Sequence, residues 1–341
     1  MGRVLVLLSL VSVVATPAAY AQVYESVGIR ALGMAGAFVA AADDAEATWW
    51  NPAALAGGAY FSGVIEYGAA QDPRAAVDPA GAALPSWRSS ARGVTLAFPS
   101  LGLSYYRLQI NQIQPFGATA GNGLGREDRG RAPVRLSSLL LQQFGATVGQ
   151  SVGQHVVVGS TVRIVRGRFA TADGAAADVS LDQGTGLDGH AETHTDLDLG
   201  AMATFRSVRM GVAVKHVVQP TFRSGDERVE LSRQARAGIA IGTRGSAAAG
   251  PMTVAMDVDL TRTATATGDV RHVAGAAEAW LMRQRVGLRG GFAANTVDDA
   301  RPSGSAGVSV ALRASLYLDA QITRGSDRTL RGWGTALRVA Y

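Results

Sequence analysis

The chain has 341 residues, a formal net charge of +5, 17% charged residues and no cysteine. The missing cysteine excludes disulfides, thiolate metal sites and a cysteine nucleophile. The positive balance comes from arginines spread singly along the chain, with Lys215 the only lysine; nucleic-acid binding needs clustered basic residues, so that class is excluded too.

Residues 1–21 carry one early charge, Arg3, then an apolar run from Val4 to Val14, then the small-x-small site Ala19-Tyr20-Ala21. This is the pattern of a secretory signal peptide, with the mature chain expected from Gln22. The run is too short for a membrane-spanning helix, which needs about 20 apolar residues. No later stretch reaches that length either. Residues 22–58 are rich in Gly and Ala, with a short helix expected near Ala31–Ala41 and a turn at Asn51-Pro52. Lying ahead of the first strand, this segment is expected inside a barrel as a plug entered from the periplasm.

From residue 59 onward the dominant period is two. In 196–205, Leu197, Leu199, Ala201, Ala203 and Phe205 oppose Asp196, Asp198, Gly200, Met202 and Thr204. In 252–260, Met252, Val254, Met256, Val258 and Leu260 share one face, and Asp257 and Asp259 the other. Fourteen segments follow such a pattern: 59–69, 91–99, 101–110, 135–149, 153–169, 193–206, 208–219, 231–243, 250–262, 271–281, 283–294, 304–313, 315–325 and 332–341. Connections after even-numbered segments are short and those after odd-numbered ones long, the asymmetry of outer-membrane barrels, with both mature termini periplasmic. Phe98, Phe205 and Trp280 are expected in one interfacial aromatic band, and Tyr67, Phe169, Phe222, Phe292 and Trp333 in the other.

The fold class is therefore all-β: a 14-stranded antiparallel transmembrane β-barrel over 59–341, with an N-terminal plug segment, 22–58, inside the lumen. A soluble sandwich would also cover an apolar face on every strand, but explains neither the alternating connections nor the terminal aromatic Tyr341. That last strand resembles the insertion signal of outer-membrane barrels, which makes the barrel-assembly machinery an expected partner beside outer-membrane lipid. Charges facing lipid at mid-depth cost about 2–4 kcal/mol for Arg or Lys. Asp196, Asp198, Lys215, Asp257, Asp259, Arg285, Arg289, Arg313, Asp319 and Arg338 are therefore expected to face the lumen.

Chemistry-bearing motifs are sparse. His190, Glu192 and His194 share one face of an extended segment and form a weak candidate metal set; a solvated loop explains them as well. Asp43 and Asp44 point apart on a helix, so turn capping or pairing with arginine suits them better than an acid/base dyad. No Gly-x-Ser-x-Gly elbow, phosphate loop or dinucleotide fingerprint appears in a strand–helix context. Neither an enzyme nor a cofactor is expected.

The segment GIRALGMAGAFVAAADDAEATWWNPAALAGG resembles the opening of the FadL-like and PorV-like outer-membrane proteins of Gram-negative bacteria. The matching positions are Gly28, Arg30, Ala31, Gly33, Gly36, Asp43, Asp44, Trp50, Asn51, Pro52 and Ala53. The FadL-like branch implies a hatch and passive transport of small hydrophobic compounds, with Trp49, Trp50, Asn51 and Pro52 lining or gating the path. The PorV-like branch implies docking of exported protein cargo at the outer membrane; a purely structural barrel is the third reading.

Overall fold

The computed structural model describes residues 27–72, 85–115, 132–243, 250–265, 268–326 and 330–341. The expected signal peptide lies outside the described residues. The plug segment begins with α1 (Ile29–Gly33), then α2 (Ala47–Trp50) and a 3-10 turn at Pro52–Gly57. The helix expected near Ala31–Ala41 is thus one short turn of helix. Gly36, at φ 83°, takes the left-handed conformation and turns the chain away directly after it.

The strands follow in chain order. The first seven are β1 (Ser62–Asp72), β2 (Ser86–Phe98), β3 (Leu101–Pro115), β4 (Pro133–Val152), β5 (Val156–Ala175), β6 (Ala191–Phe205) and β7 (Val208–Lys215). A hairpin of β8 (Thr221–Ser224) and β9 (Glu227–Glu230) precedes β10 (Gln234–Thr243) and β11 (Met252–Asp259). A second hairpin, β12 (Thr263–Thr265) and β13 (Gly268–Val270), precedes β14 (His272–Leu281), β15 (Val286–Asn295), β16 (Ser303–Arg313), β17 (Leu316–Gly325) and β18 (Arg331–Ala340). Without the two hairpins, fourteen strands form one closed barrel in which each pairs with its chain neighbours and β1 closes on β18. Closure leaves no unpaired edge, the condition for crossing hydrocarbon with strands. All fourteen expected segments are barrel strands, including 59–69 and 271–281, whose alternation is diluted by Gly and Ala.

Alternation places the apolar residues outside. On β11, Met252, Val254, Met256 and Val258 are exposed, whereas Ala255 and Asp257 are buried. On β6, Leu199 is exposed and Asp196 and Asp198 are buried. The lumen is filled by the plug: Trp49, Trp50, Phe38 and Met34 are among the most completely buried side chains.

Three expectations need correction. Arg285 and Arg313 are exposed rather than turned into the lumen, because they stand beside the short turns, where strand alternation has ended. Phe169 and Phe222 are buried in the interior core, and Trp280 packs edge-on against Tyr317 beneath the Arg338 guanidinium. Of the expected rings, Phe98, Phe205, Tyr67, Phe292 and Trp333 do lie on the exposed outer face. Phe61 packs with Phe98 and Tyr341 at the short-turn end, and Tyr67 packs with Trp333 nearer the long loops.

Two outcomes test this arrangement. Leu199→Arg should destabilise the folded barrel by about 2–4 kcal/mol if its site is near mid-depth, read by urea unfolding in bilayers against Leu199→Ala; equal stability would refute the facing. A cysteine at exposed Gly186, in the long connection after β5, should label on intact cells. A cysteine at Ser207, in the tight turn after β6, should stay unlabelled until the periplasm is opened.

Candidate functional site: plug, charge network and cavity

The plug is held by its backbone and by charge. Gly28 N–H and Ile29 N–H donate to the Glu66 carboxylate of β1 at 3.0 and 3.2 Å. Arg30 N–H and Ala31 N–H donate to Glu46 at 3.1 Å each. The first amides of α1, which have no partner inside the helix, are thus met by two carboxylates. Further along, Phe38 N–H and Val39 N–H donate to Asp257 of β11 at 2.9 and 2.8 Å. The Arg236 guanidinium donates to the Gly36 carbonyl at 3.2 Å while its Nε holds Asp259 at 2.6 Å.

Arg30 is the hub. Its guanidinium pairs with Asp43 and with Asp44, the latter at 3.1 Å, and bonds Glu278 of β14 through Nε at 2.8 Å. Asp44 also accepts from Glu46 N–H at 3.0 Å, so it caps the turn into α2 as well. The two aspartates therefore serve pairing and capping, as expected, but the arginine is the plug's own. A wall network continues from Glu278. Arg289 lies 3.7 Å from Glu278 and 3.2 Å from Asp319, and Arg338 lies 2.8 Å from Asp319. Gly33 ends α1 against the Arg289 side chain, where a Cβ would come within 2.9 Å of its Cδ.

The hatch candidates lie deeper. Trp49 is covered by Tyr106, with ring centroids 5.2 Å apart, by the Arg163 guanidinium at 4.6 Å and by Lys215. Trp50 donates its indole N–H to the Val27 carbonyl at 3.2 Å and packs edge-on against Phe38. Asn51 donates to the Val39 carbonyl at 2.9 Å and accepts from Ala53 N–H. Pro52 lies against the inner wall at Gly159 of β5, where any side chain would overlap its carbonyl. These four residues anchor the plug.

The open space lies elsewhere. A cavity of about 240 Å³ sits on the long-loop side of the plug. Leu32 and Ala35 of the plug contribute to it, with Ala91, Trp87 and Ile110 of β2 and β3. Thr265 and Val270 of the β12–β13 hairpin, His272 and Pro302 also line it. Apolar cavities of about 150 Å³ already admit benzene, so this one has room for a small aromatic molecule. Sequence reading missed these residues. Trp87 fell outside the expected strand, because 86–90 reads as part of a polar loop, and Leu32 was submerged in a Gly/Ala-rich motif.

The weak metal set does not assemble as expected. His194 and Glu192 do share a face, 3.3 Å apart, but His190 is exposed. Glu192 accepts from Arg223 N–H at 3.0 Å and His194 packs edge-on against Phe222, so the pair fastens the β8–β9 hairpin. Among the described residues, the grouping with metal-ligand spacing is Asp196, Asp198 and His216. Its oxygens already engage His216 Nδ1 at 2.5 Å, His216 N–H at 3.0 Å and Arg163 at 2.5 Å.

Arg30→Gln should leave three acidic side chains facing a neutral partner. Removing one member of a buried ion pair costs about 3–5 kcal/mol. The loss should fall on plug docking, since the barrel ladder does not involve Arg30. Limited proteolysis should then cleave the plug of a barrel that still migrates as folded; a plug as protected as the wild type would contradict the hub role.

Solved structures share this architecture. A FadL homologue from Pseudomonas aeruginosa superposes with TM-score 0.58 at 10% identity, over 95% of this chain and 99% of that one. The CymD monoaromatic hydrocarbon channel gives 0.56 at 12%, over 93% and 98%. The Ralstonia pickettii toluene transporter TbuX gives 0.53 at 15%, over 93% and 99%. At such identities the likeness is one of fold, and it agrees with the FadL-like resemblance of the N-terminal segment. No curated protein matches the chain. The family model described as "F plasmid transfer operon, TraF, protein" matches residues 33–259, from the plug motif through β11, and the chain belongs to that family.

Proposed function

We propose that this barrel passes small hydrophobic compounds passively across the bacterial outer membrane, holding them in the cavity above the plug. The cavity carries the proposal: it is large enough for an aromatic ring, mostly apolar, and floored by a plug element that charge holds in place. The barrels it resembles in fold include a monoaromatic hydrocarbon channel and a toluene transporter. The family description names an operon rather than a chemistry, so it does not choose the cargo. The same features support a conduit rather than a catalyst. Docking of exported protein would call for a recognition surface outside the lumen, whereas the apolar space lies within it. We assign Trp49, Trp50, Asn51 and Pro52 the hatch role of anchoring the plug rather than contacting ligand, because none of them lines the cavity.

Proteoliposomes carrying the full chain should take up labelled toluene faster than protein-free vesicles. Ile110→Trp, which fills the cavity from the β3 wall, should lower that uptake about tenfold, equivalent to about 1.4 kcal/mol of lost binding, in a barrel that folds normally. No uptake by the wild type, or full uptake by the filled variant, would overturn the reading.

A further inference from the structure

The fold supplies a carboxylate partner for one arginine after another. Arg30, Arg163, Arg236, Arg289 and Arg338 are paired in the lumen. Above the membrane-facing strands, Arg135 is paired with Asp173 and Arg88 with Asp182. One group faces the membrane side of the wall. Arg92 of β2, Arg107 of β3 and Arg166 of β5 are exposed on the outer face of the barrel. They lie on a single cross-strand row: Tyr67 pairs with Arg92, Arg92 with Arg107, Arg107 with Gln142, and Gln142 with Arg166. Arg168, also exposed, follows two residues on along β5. The outward positions of this row and of the two rows beneath it carry no acidic side chain; Asp182 of the connection after β5, further toward the long loops, is paired with Arg88. Arg92 lies over the Tyr67 ring at 5.9 Å, and Gln142 donates to the Tyr105 hydroxyl at 3.2 Å.

Like charges placed directly opposite on neighbouring strands repel, so the Arg92–Arg107 pair is unfavourable unless an anion lies between them. The position of the row says where that anion comes from. On its short-turn side the next outward row is Val94, Tyr105, Phe144 and Ile164, and the one after it Leu96, Leu103, Ala146 and Val162. From Arg92 to Phe98, at the end of β2, is about 20 Å along the strand and about 15 Å along the membrane normal at a strand tilt of about 40°, and at this row the outward residues turn from apolar to polar, the next row toward the long loops reading Ser90, Gln109, Leu140 and Arg168. An outer-membrane apolar band is about 25 Å tall. The row therefore stands at the long-loop margin of the band, with a tyrosine at interfacial depth beside it. On its other side Leu181 packs onto Ile113, Val134 and Leu136, so the connection after β5 forms a cap outside the wall. Asn111 Nδ2 donates to the Leu181 carbonyl at 2.9 Å and holds this cap to β3. Between lipid tails and cap there is a strip at headgroup depth that presents guanidinium groups. Guanidinium forks match phosphate oxygens bidentately.

We infer that the outer face of β2–β5 is a binding site for the phosphate groups of phosphorylated lipids in the leaflet at the long-loop end, with Arg92, Arg107 and Arg166 as its ligands. A phosphate held there neutralises the repelling pair and fixes the barrel's depth in that leaflet.

The test reconstitutes the full chain in phosphatidylcholine vesicles and in equimolar phosphatidylcholine and lipid A, then re-extracts it and counts retained lipid A by native mass spectrometry. Wild type should retain about tenfold more lipid A than the combined R92Q/R107Q/R166Q variant, equivalent to about 1.4 kcal/mol. The single R107Q variant should fall between them. A control, R285Q/R313Q, removes two exposed arginines at the short-turn end and should retain lipid A as the wild type does. Equal retention by wild type and the triple variant would overturn the assignment, as would an equal loss in the control. Displacement of lipid A by inorganic phosphate would overturn the lipid as occupant. Heat-modifiable gel migration confirms that each variant is folded.

Discussion

Hydrocarbon cannot solvate a charge, and that constraint organises the whole molecule. The chain has 59 charged side chains from 32 basic and 27 acidic residues, and on barrel strands those at membrane depth must turn inward. Once inward they need partners, since a closed lumen filled by a plug offers little water. The plug supplies them. Arg30 meets Glu278 of the wall, Asp257 of the wall meets the plug amides of Phe38 and Val39, and Arg236 bridges both. Plug and barrel are thus one electrostatic unit. Removing the plug would leave Glu278 with Arg289 alone, at 3.7 Å, and take from Asp257 the two amides it accepts from, which is why the plug sits as a docked segment rather than a loose chain.

The sequence displayed the barrel because that same constraint writes itself as period two. Asp196 and Asp198 between leucines, and Asp257 and Asp259 between Met256, Val258 and Leu260, can be read directly. The pattern fails where the constraint lapses. Arg285 and Arg313 stand next to turns, in water, and alternation there carries no facing information. Phe169 and Phe222 were read as interfacial from their distance along the strand, yet Phe222 belongs to a hairpin that returns to the wall. No local signal marks such a return. The one trace is Gly167, whose missing side chain makes room for the Phe222 ring. Trp49 and Trp50 were visible as large apolar groups, but whether a tryptophan packs or presents its face depends on residues distant in sequence, here Tyr106, Arg163 and Arg236.

The two inserted hairpins divide the lumen above the plug unequally. β8–β9 lies against β5, burying Phe222, Val229 and Leu231 among Val165 and Phe169. That side is packed solid. The β12–β13 hairpin instead borders open space, and the strands facing that space carry Ala91, Ala293, Ser303 and Ser305. Small side chains on one arc and a folded-in hairpin on the other place the cavity off centre, over α1 rather than over the tryptophans.

This placement gives α1 two opposed duties on five residues. Leu32, with Ala35 just beyond the helix, contributes apolar surface to the cavity floor, while Arg30 and Gly33 face the charged wall. The helix is too short to be stable alone, since isolated helices below about 12 residues are marginal in water. Its shape therefore depends on Glu46 and Glu66 at its amides and on the carboxylates around Arg30. The apolar floor is only as fixed as the polar contacts beneath it. A cavity that must admit and release an apolar solute needs a floor whose hold can change by a few kcal/mol, and a buried ion-pair hub offers a coupling of that size between wall and floor.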